Sequence, residues 1–367
     1  MLQPEENIKL SKKEIRSILR DPEKSAKAID LVYVHDKQPG ISRIKKGKDF
    51  HYFSGTKRLT NKADLERIKN LVIPPAWESV WICSLANGHL QVTGKDARQR
   101  KQYKYHSLWN SLRNQTKFYR LHEFGKALPE IRAQLAKDLS RPGLPAEKVL
   151  AAVVCLMEQT SIRVGNSSYE KLYGSFGLTT LKDKHVKITG ANMRFMFKGK
   201  KGISHNISIK NKRLARIVKN CRDIPGKELF QYYDTDGSHK SIDSGMVNAY
   251  LKSITGKDFT AKDFRTWAGT VRAISAFKEV APCETKADIK NNIVMVLDSV
   301  AEHLGNTRTV CRKYYVHPII LDLYENNGLQ KYLAKIDEAI SEEPLEGHAQ
   351  EEKLLLMILE KEGKTCN

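Results

Sequence analysis

The feature that most constrains the fold of this chain is a change in hydrophobic period near residue 110. From about Leu31 to Gln91 the apolar residues fall in short runs, LVYV, DFHYF, VWICSL and GHLQVTG, broken by Gly, Pro and Asn. Such runs predict a small, mainly antiparallel sheet. Beyond the change come long helical patterns such as LHEFGKALPEIRAQLAKDL, stopped by Arg141-Pro142-Gly143. The next stretch, PAEKVLAAVVCLMEQTSIRVG, has Pro145 near its start and Gly165 just past its end, a helix start and stop. HVKITG, NMRFMFKG and ISHNISIK then predict three strands. In them Met193, Phe195 and Phe197 recur at every second position, and Ile203, His205, Ile207 and Ile209 alternate with polar neighbours; the last turn is Gly199-Lys200-Lys201-Gly202. Helical patterns return from about Asn211 to the end. The expected organisation is an α+β chain. It has a polar extension over 1–30, a small N-terminal antiparallel β-sheet domain over 31–110, a mostly α-helical domain with a three-stranded sheet over 111–336, and an acidic helical tail over 337–367.

Charge narrows the partner. Lys and Arg number 63 against 42 Asp and Glu, a formal net charge of +21. From Asp337 to Glu362 nine acids face two bases, so that segment is −7 and the remainder +28. A body this basic implies a polyanion, because each cation set against phosphate releases a condensed counterion. The bland alternative is a protein that is merely basic. No apolar run, Leu354–Leu359 included, approaches the ~18 residues that span a bilayer. The first residues lack the apolar stretch of a secretory signal. Cys83, Cys155, Cys221, Cys283, Cys311 and Cys366 are scattered, without a CxxC pair or zinc-ligand spacing, and read as reduced thiols of a cytosolic protein.

The sequence contains no GxxxxGK[ST] loop, no G-x-G-x-x-G, no HExxH and no acidic cluster of the two-metal type. Chemistry on a polyanion would then rest on side-chain cations and a side-chain nucleophile. Four places suit. Arg163 in TSIRVGNSSY adjoins Gly165, where a backbone can approach closely; it could grip phosphate or cap its helix. Arg265 in AKDFRTWAGT could do the same or pair with Asp263. Lys200 on the GKKG tip could donate a proton or protect a sheet edge. LGNTRTVCRKYYVHP places Asn306 and Thr307 as possible N-caps ahead of a basic helix bearing Tyr314 and Tyr315. Tyrosine is usually filler, but cations stabilise its phenolate and make it a usable nucleophile.

In order, Arg163, Lys200, Arg265, Asn306 and Tyr315 resemble the active-site series of type IB DNA topoisomerases, in the compact form of bacteria and poxviruses. The matching segments are RVGNSSY, FKGKKGISH, KDFRTWAGT and LGNTRTVCRKYY, joined by PGISRIKKGKDFHYF and RQRKQYKYHSLW upstream. The resemblance runs from roughly residue 30 to 325. It implies the tyrosine recombinase/topoisomerase IB catalytic fold, double-stranded DNA clamped by a monomer, and no cofactor, nucleotide or required metal. It further implies relaxation of supercoils through a 3′-phosphotyrosyl intermediate, in a cytoplasmic, nucleoid-associated enzyme. Tyr315 would be the nucleophile, since the family places it nine residues after position 306. Arg163, Arg265 and Asn306 would stabilise the transition state, and Lys200 would be the general acid, with Lys198 and Lys201 as neighbours on its hairpin. Gln102, Tyr103, Tyr105, Tyr169 and Lys201 would contact DNA.

Poxvirus-type members carry Gly-His-Thr-Pro where this chain has Gly305-Asn306-Thr307-Arg308; bacterial-type members carry asparagine. An amide donates a hydrogen bond but shuttles no proton. His303 is out of register to replace that histidine. Asn166 stands where the poxvirus form has lysine, which puts that form's sequence preference in doubt. Two rival readings follow. A tyrosine recombinase or integrase would normally show H-x-x-R, whereas this chain has Lys262-Asp263-Phe264-Arg265. A non-catalytic DNA-binding protein would explain the charge but not the register of the five residues.

Overall fold

The computed structural model describes residues 21–47, 49–96, 99, 101–280, 285–338 and 349–365. Most of the expected N-terminal extension lies outside them, as does the stretch with Pro344 and Gly347. The chain divides into two compact units, one through Tyr119 and one from Arg120.

In the first unit, α1 (Pro22–Lys27) starts on Asp21, whose carboxylate accepts from the amides of Glu23 and Lys24. Six strands follow: β1 (Ile41–Lys46), β2 (Asp49–Ser54), β3 (Lys57–Arg58), β4 (Glu78–Ile82), β5 (Leu90–Lys95) and β6 (Lys101–Tyr105), with α2 (Lys62–Asn70) between β3 and β4. They form one antiparallel sheet in the order β3-β2-β1-β4-β5-β6. Ile41, Val80, Ile82 and Val92 pack with Ile68 of α2 as its core. Two expectations change here. LVYV is no strand: Val32 makes only an isolated bridge to Gly88, while Leu31 packs with Trp109 and Leu112. ISRIKK, by contrast, is β1. Its apolar alternation is absent because Ile41 is buried and Ile44 exposed, so pairing with β2 and β4 sets its register.

The division between units falls within α3 (Ser107–Leu139), whereas the sequence puts the change near residue 110. In the second unit α4 (Ala146–Thr160) is apolar nearly all round and accordingly lies inside the core. After α5 (Ser167–Tyr173) come β7 (Val186–Thr189), β8 (Asn192–Lys198) and β9 (Ser204–Lys210), an antiparallel sheet in that order. Met193, Phe195 and Phe197 all point into the core, as their alternation predicts. α6 (Lys212–Arg222) is followed by a hairpin the sequence reading did not foresee, β10 (Gln231–Tyr233) and β11 (His239–Ser241). It is turned by Asp234-Thr235-Asp236-Gly237, where the Asp234 and Asp236 carboxylates accept from the Thr235 and Ser238 amides.

The rest is helical: α7 (Ser244–Thr255), α8 (Ala261–Glu279), α9 (Lys286–Leu304), α10 (Arg308–Tyr314), α11 (Pro318–Glu325), α12 (Gln330–Glu338) and α13 (Gln350–Thr365). The tail helix α13 docks, with Leu354, Leu355 and Ile358 buried in the core of the second unit. Gly125 of α3 makes room for it: a Cβ there would lie 2.4 Å from Trp267 and 2.8 Å from Leu356. Among the described residues no helix is long and apolar enough to cross a membrane.

Candidate active site

The site assembles where helices end. α4 stops at Thr160, earlier than Gly165 suggested, because Ser161 takes the left-handed conformation (φ 54°) and its amide donates to Met157 O. Arg163 therefore lies in an extended segment beyond the helix rather than capping it. That segment is bonded to the Gly177–Thr179 strip: the Leu178 amide donates to Arg163 O at 2.9 Å and the Thr179 amide to Val164 O at 2.7 Å. Gly165 permits this approach, since at φ +98° a Cβ would sit 3.0 Å from Gly177 C.

α9 ends at Gly305, also left-handed, and Thr307 caps α10, leaving Asn306 between the two helices. Arg163 Nη2 donates to Asn306 Oδ1 at 2.8 Å and to Gly305 O at 3.3 Å. A guanidinium has only donors, so this contact fixes which end of the Asn306 amide is oxygen. Its Nδ2 is buried without a hydrogen-bond partner among the described residues.

Arg265, on α8, is 5% exposed. It donates through Nη1 to Ser161 O and through Nη2 to Leu304 O at 2.7 Å, joining the carboxyl ends of α4 and α9. Its Nε is buried with no hydrogen-bond partner among the described residues. Asp263, the alternative ion partner, instead accepts from Thr260 at its own helix start. Neither Arg163 nor Arg265 has a carboxylate partner among the described residues. Burial and then the charge of Arg265 lower Arg163 to about 10, which still leaves it cationic at neutral pH.

Tyr315 faces these cations. It is the residue at which α10 ends, with φ −131° and ψ −24°, so the helical angle between Tyr314 and Tyr315 does not govern its direction. Arg265 Cζ lies 5.3 Å from its ring centre. Burial pushes the phenol up; the charge of Arg265, its hydrogen bond and the charges of Arg163 and Lys262 outweigh burial and hold it below the ordinary value. α8 also fixes the backbone here. Thr270 Oγ1 donates to Tyr315 O and accepts from the His317 amide, both at 3.1 Å. A Cβ on Gly269 would lie 3.1 Å from Tyr315 Cβ. Tyr314 has Lys313 over its ring instead. Cys311 beneath the site is pushed up to about 11 by burial and stays a thiol.

Lys200 is exposed on the β8–β9 tip and makes no hydrogen bond or ion pair among the described residues. Lys201 beside it is left-handed (φ 63°) and exposed. The structure thus brings together Arg163, Arg265, Asn306 and Tyr315 and leaves Lys200 in solvent. In the first unit, Gln102, Tyr103 and Tyr105 lie on the edge strand β6 but not on one face. Tyr103 stacks on Tyr105 with Lys101 over it, while Gln102 donates to Asp96 at 2.9 Å. Tyr169 belongs to α5; its side chain lies outside the described residues.

The sequence does not single out Ser161 or Thr270, and it offers His303 only as an out-of-register substitute for the family's histidine. His303 Nε2 lies 3.0 Å from Ser161 Oγ, tying together the two helix ends that receive Arg265. Only His205 carried a signal, as the one polar residue on the apolar face of β9.

The site thus sets two guanidiniums, held by backbone carbonyls and an amide, beside a phenol. The family model described as the catalytic core of eukaryotic DNA topoisomerase I matches residues 99–340, and that of the N-terminal domain of bacterial DNA topoisomerase IB matches residues 49–96. The DNA topoisomerase 1B of Acanthamoeba polyphaga mimivirus is 34% identical over 297 residues, covering 78% of this chain and 88% of that protein. The DNA topoisomerase I of Monkeypox virus and the DNA topoisomerase 1B of Vaccinia virus (strain Copenhagen) are each 24% identical over 275 residues, 72% of this chain and 82% of theirs. The chain belongs to the type IB DNA topoisomerases and is an isomerase of that family.

Proposed function

We propose that the chain relaxes supercoiled duplex DNA by cutting and resealing one strand at a time, with Tyr315 as nucleophile. The observation that carries this is the pair of guanidiniums without carboxylates, beside a phenol, with Arg265 Nε and Asn306 Nδ2 buried and unpaired. Buried cations and orphan donors are costly unless an anion completes them. A phosphodiester is such an anion.

Tyr315 Oη attacks phosphorus, its proton leaving to solvent. The bond from phosphorus to the 5′ oxygen breaks, giving a 3′-phosphotyrosyl link, and the electron pair stays on the departing oxygen. Lys200 protonates that oxygen. Arg163, Arg265 and the Asn306 amide stabilise the equatorial oxygens. One diester replaces another, so cleavage is nearly isoenergetic and needs neither ATP nor metal. Torsional strain drives rotation before the 5′-hydroxyl re-attacks. A single chain suffices, its two units closing on the duplex as a clamp. Lys201, Gln102, Tyr103, Tyr105 and Tyr169 contact the DNA, in a cytoplasmic enzyme working on the nucleoid.

The test is relaxation of a supercoiled plasmid in EDTA without ATP. Wild type relaxes it and leaves a covalent adduct after denaturation. Tyr315→Phe still shifts DNA in a gel but relaxes nothing and leaves no adduct. Residual relaxation would move the assignment to Tyr314.

A further inference from the structure

Lys200, the proposed acid, makes no hydrogen bond or ion pair among the described residues. What connects its hairpin to the pocket is a histidine ring. His205 is on β9 and stacks on Phe197 of β8, with ring centres 4.9 Å apart and planes 19° apart. One edge of the ring meets Gly199, the residue before Lys200; a Cβ there would fall 2.6 Å from His205 Nε2. The neighbouring Cε1 corner meets Gly305, the residue before Asn306; a Cβ there would fall 2.5 Å from His205 Cε1. Real Cβ atoms do not come so close, so the ring fits only because both positions are glycine; Gly305 is also required by its left-handed turn at the end of α9, whereas Gly199 is not. Gly305 O in turn accepts from Arg163.

We infer that His205 is a positioning residue: its ring, seated between Gly199 and Gly305, docks the lysine hairpin on the Asn306 turn and so delivers Lys200 to the departing oxygen. The inference rests on the reading of Lys200 as general acid. The ring acts by shape. Burial, together with Arg163 and Arg265, holds His205 below its ordinary value, so it is neutral at neutral pH and adds no charge to a pocket already cationic. Gly199 itself has an ordinary negative φ of −91°, so its smallness answers to the ring rather than to the turn.

A sulfur atom in place of the 5′ bridging oxygen leaves as a thiolate and needs no proton, which separates delivery of the acid from every other defect. Single-turnover cleavage by the full chain is measured on duplexes with the oxygen or sulfur leaving group. His205→Ala is expected to slow the oxygen substrate on the order of 10²-fold, the usual consequence of a misplaced catalytic group, and to cleave the sulfur substrate at nearly the wild-type rate. Gly199→Ala, which leaves His205 in the chain but pushes its ring away, should give the same pattern and decides the matter should His205→Ala fail to fold. His205→Phe keeps a flat ring in the socket and should be close to wild type on both. Lys200→Ala supplies the control. If sulfur fails to restore Lys200→Ala, the general-acid assignment falls and this inference with it. If sulfur restores Lys200→Ala but not His205→Ala and Gly199→Ala, or if those two are not slowed at all, the inference alone is overturned.

Discussion

At the guanidinium pocket the cations are held from several sides: Arg265 by two helix-end carbonyls, Arg163 by Gly305 O and the Asn306 amide. At the hairpin tip, Lys200 and Lys201 carry the same charge with nothing bonded to it among the described residues. The difference matches two tasks. A group that stabilises developing charge works best when already oriented, because it then pays no reorganisation cost during reaction. A group that must hand over a proton is served by a compact ammonium on a flexible stem. Backbone carbonyls suit the first task especially well, since they orient a guanidinium without neutralising it as a carboxylate would.

The strongest way to break this contrast is to exchange the two kinds of cation. Arg265→Lys keeps the charge but cannot span Ser161 O and Leu304 O while presenting a third donor. Single-turnover cleavage should fall on the order of 10³-fold, comparable to loss of an oxyanion-stabilising donor, and a sulfur leaving group should not restore it. A lysine variant that kept a tenth of wild-type activity would mean the fork geometry is irrelevant and charge alone is needed.

A smaller effect sharpens the electrostatic half of the comparison. Because Arg265, Arg163 and Lys262 hold the Tyr315 phenol below its ordinary value of 10.0, cleavage should rise with pH and level off below that value. Measured on the sulfur substrate, which removes the acid's own titration, the inflection should move upward in Arg163→Ala, since losing a neighbouring cation disfavours the phenolate. An unmoved inflection would show that another group governs the profile.

How much of this was legible beforehand follows from which interactions are local. The Met193, Phe195, Phe197 alternation and the apolar circumference of α4 are local patterns, and both elements form, although α4 stops at Thr160, short of the Gly165 end the sequence suggests. β1 was not readable, because its register comes from its neighbours rather than from its own period. At the site, residue types and order along the chain were readable, through likeness to a family. The devices that orient them were not. A left-handed Ser161, a carbonyl from each of two helices on Arg265, and a histidine between Gly199 and Gly305 all depend on segments that meet only in the folded chain. Glu352 likewise reads as one more acid in an acidic tail, yet it is buried.

Glu352 also gives the mildest test of whether the pocket is held locally. Its carboxylate accepts from Arg132 at 2.8 and 2.9 Å and from Trp267 Nε1 at 2.8 Å, and Trp267 is two residues beyond Arg265 on α8. If carbonyls at the helix ends orient Arg265, loosening this rear contact should cost stability and leave cleavage at 25 °C nearly unchanged. Glu352→Gln keeps an oxygen for Trp267 but removes the charge facing Arg132, which retains Glu158 at 2.7 Å. The loss should be about 1–3 kcal/mol, below that of a buried pair stripped of its only partner. Burial alone would raise the Glu352 carboxyl, but the bonds from Arg132 and Trp267 outweigh it and the folded value is lowered. The contribution is therefore fully present above the ordinary 4.5 and is lost as pH falls below it through the folded value. Denaturant unfolding across pH 3–7 should show wild type and Glu352→Gln converging at the acid end. A constant gap at every pH would mean the variant acts through packing, and a large fall in cleavage rate would mean the tail helix, not the carbonyls, orients Arg265.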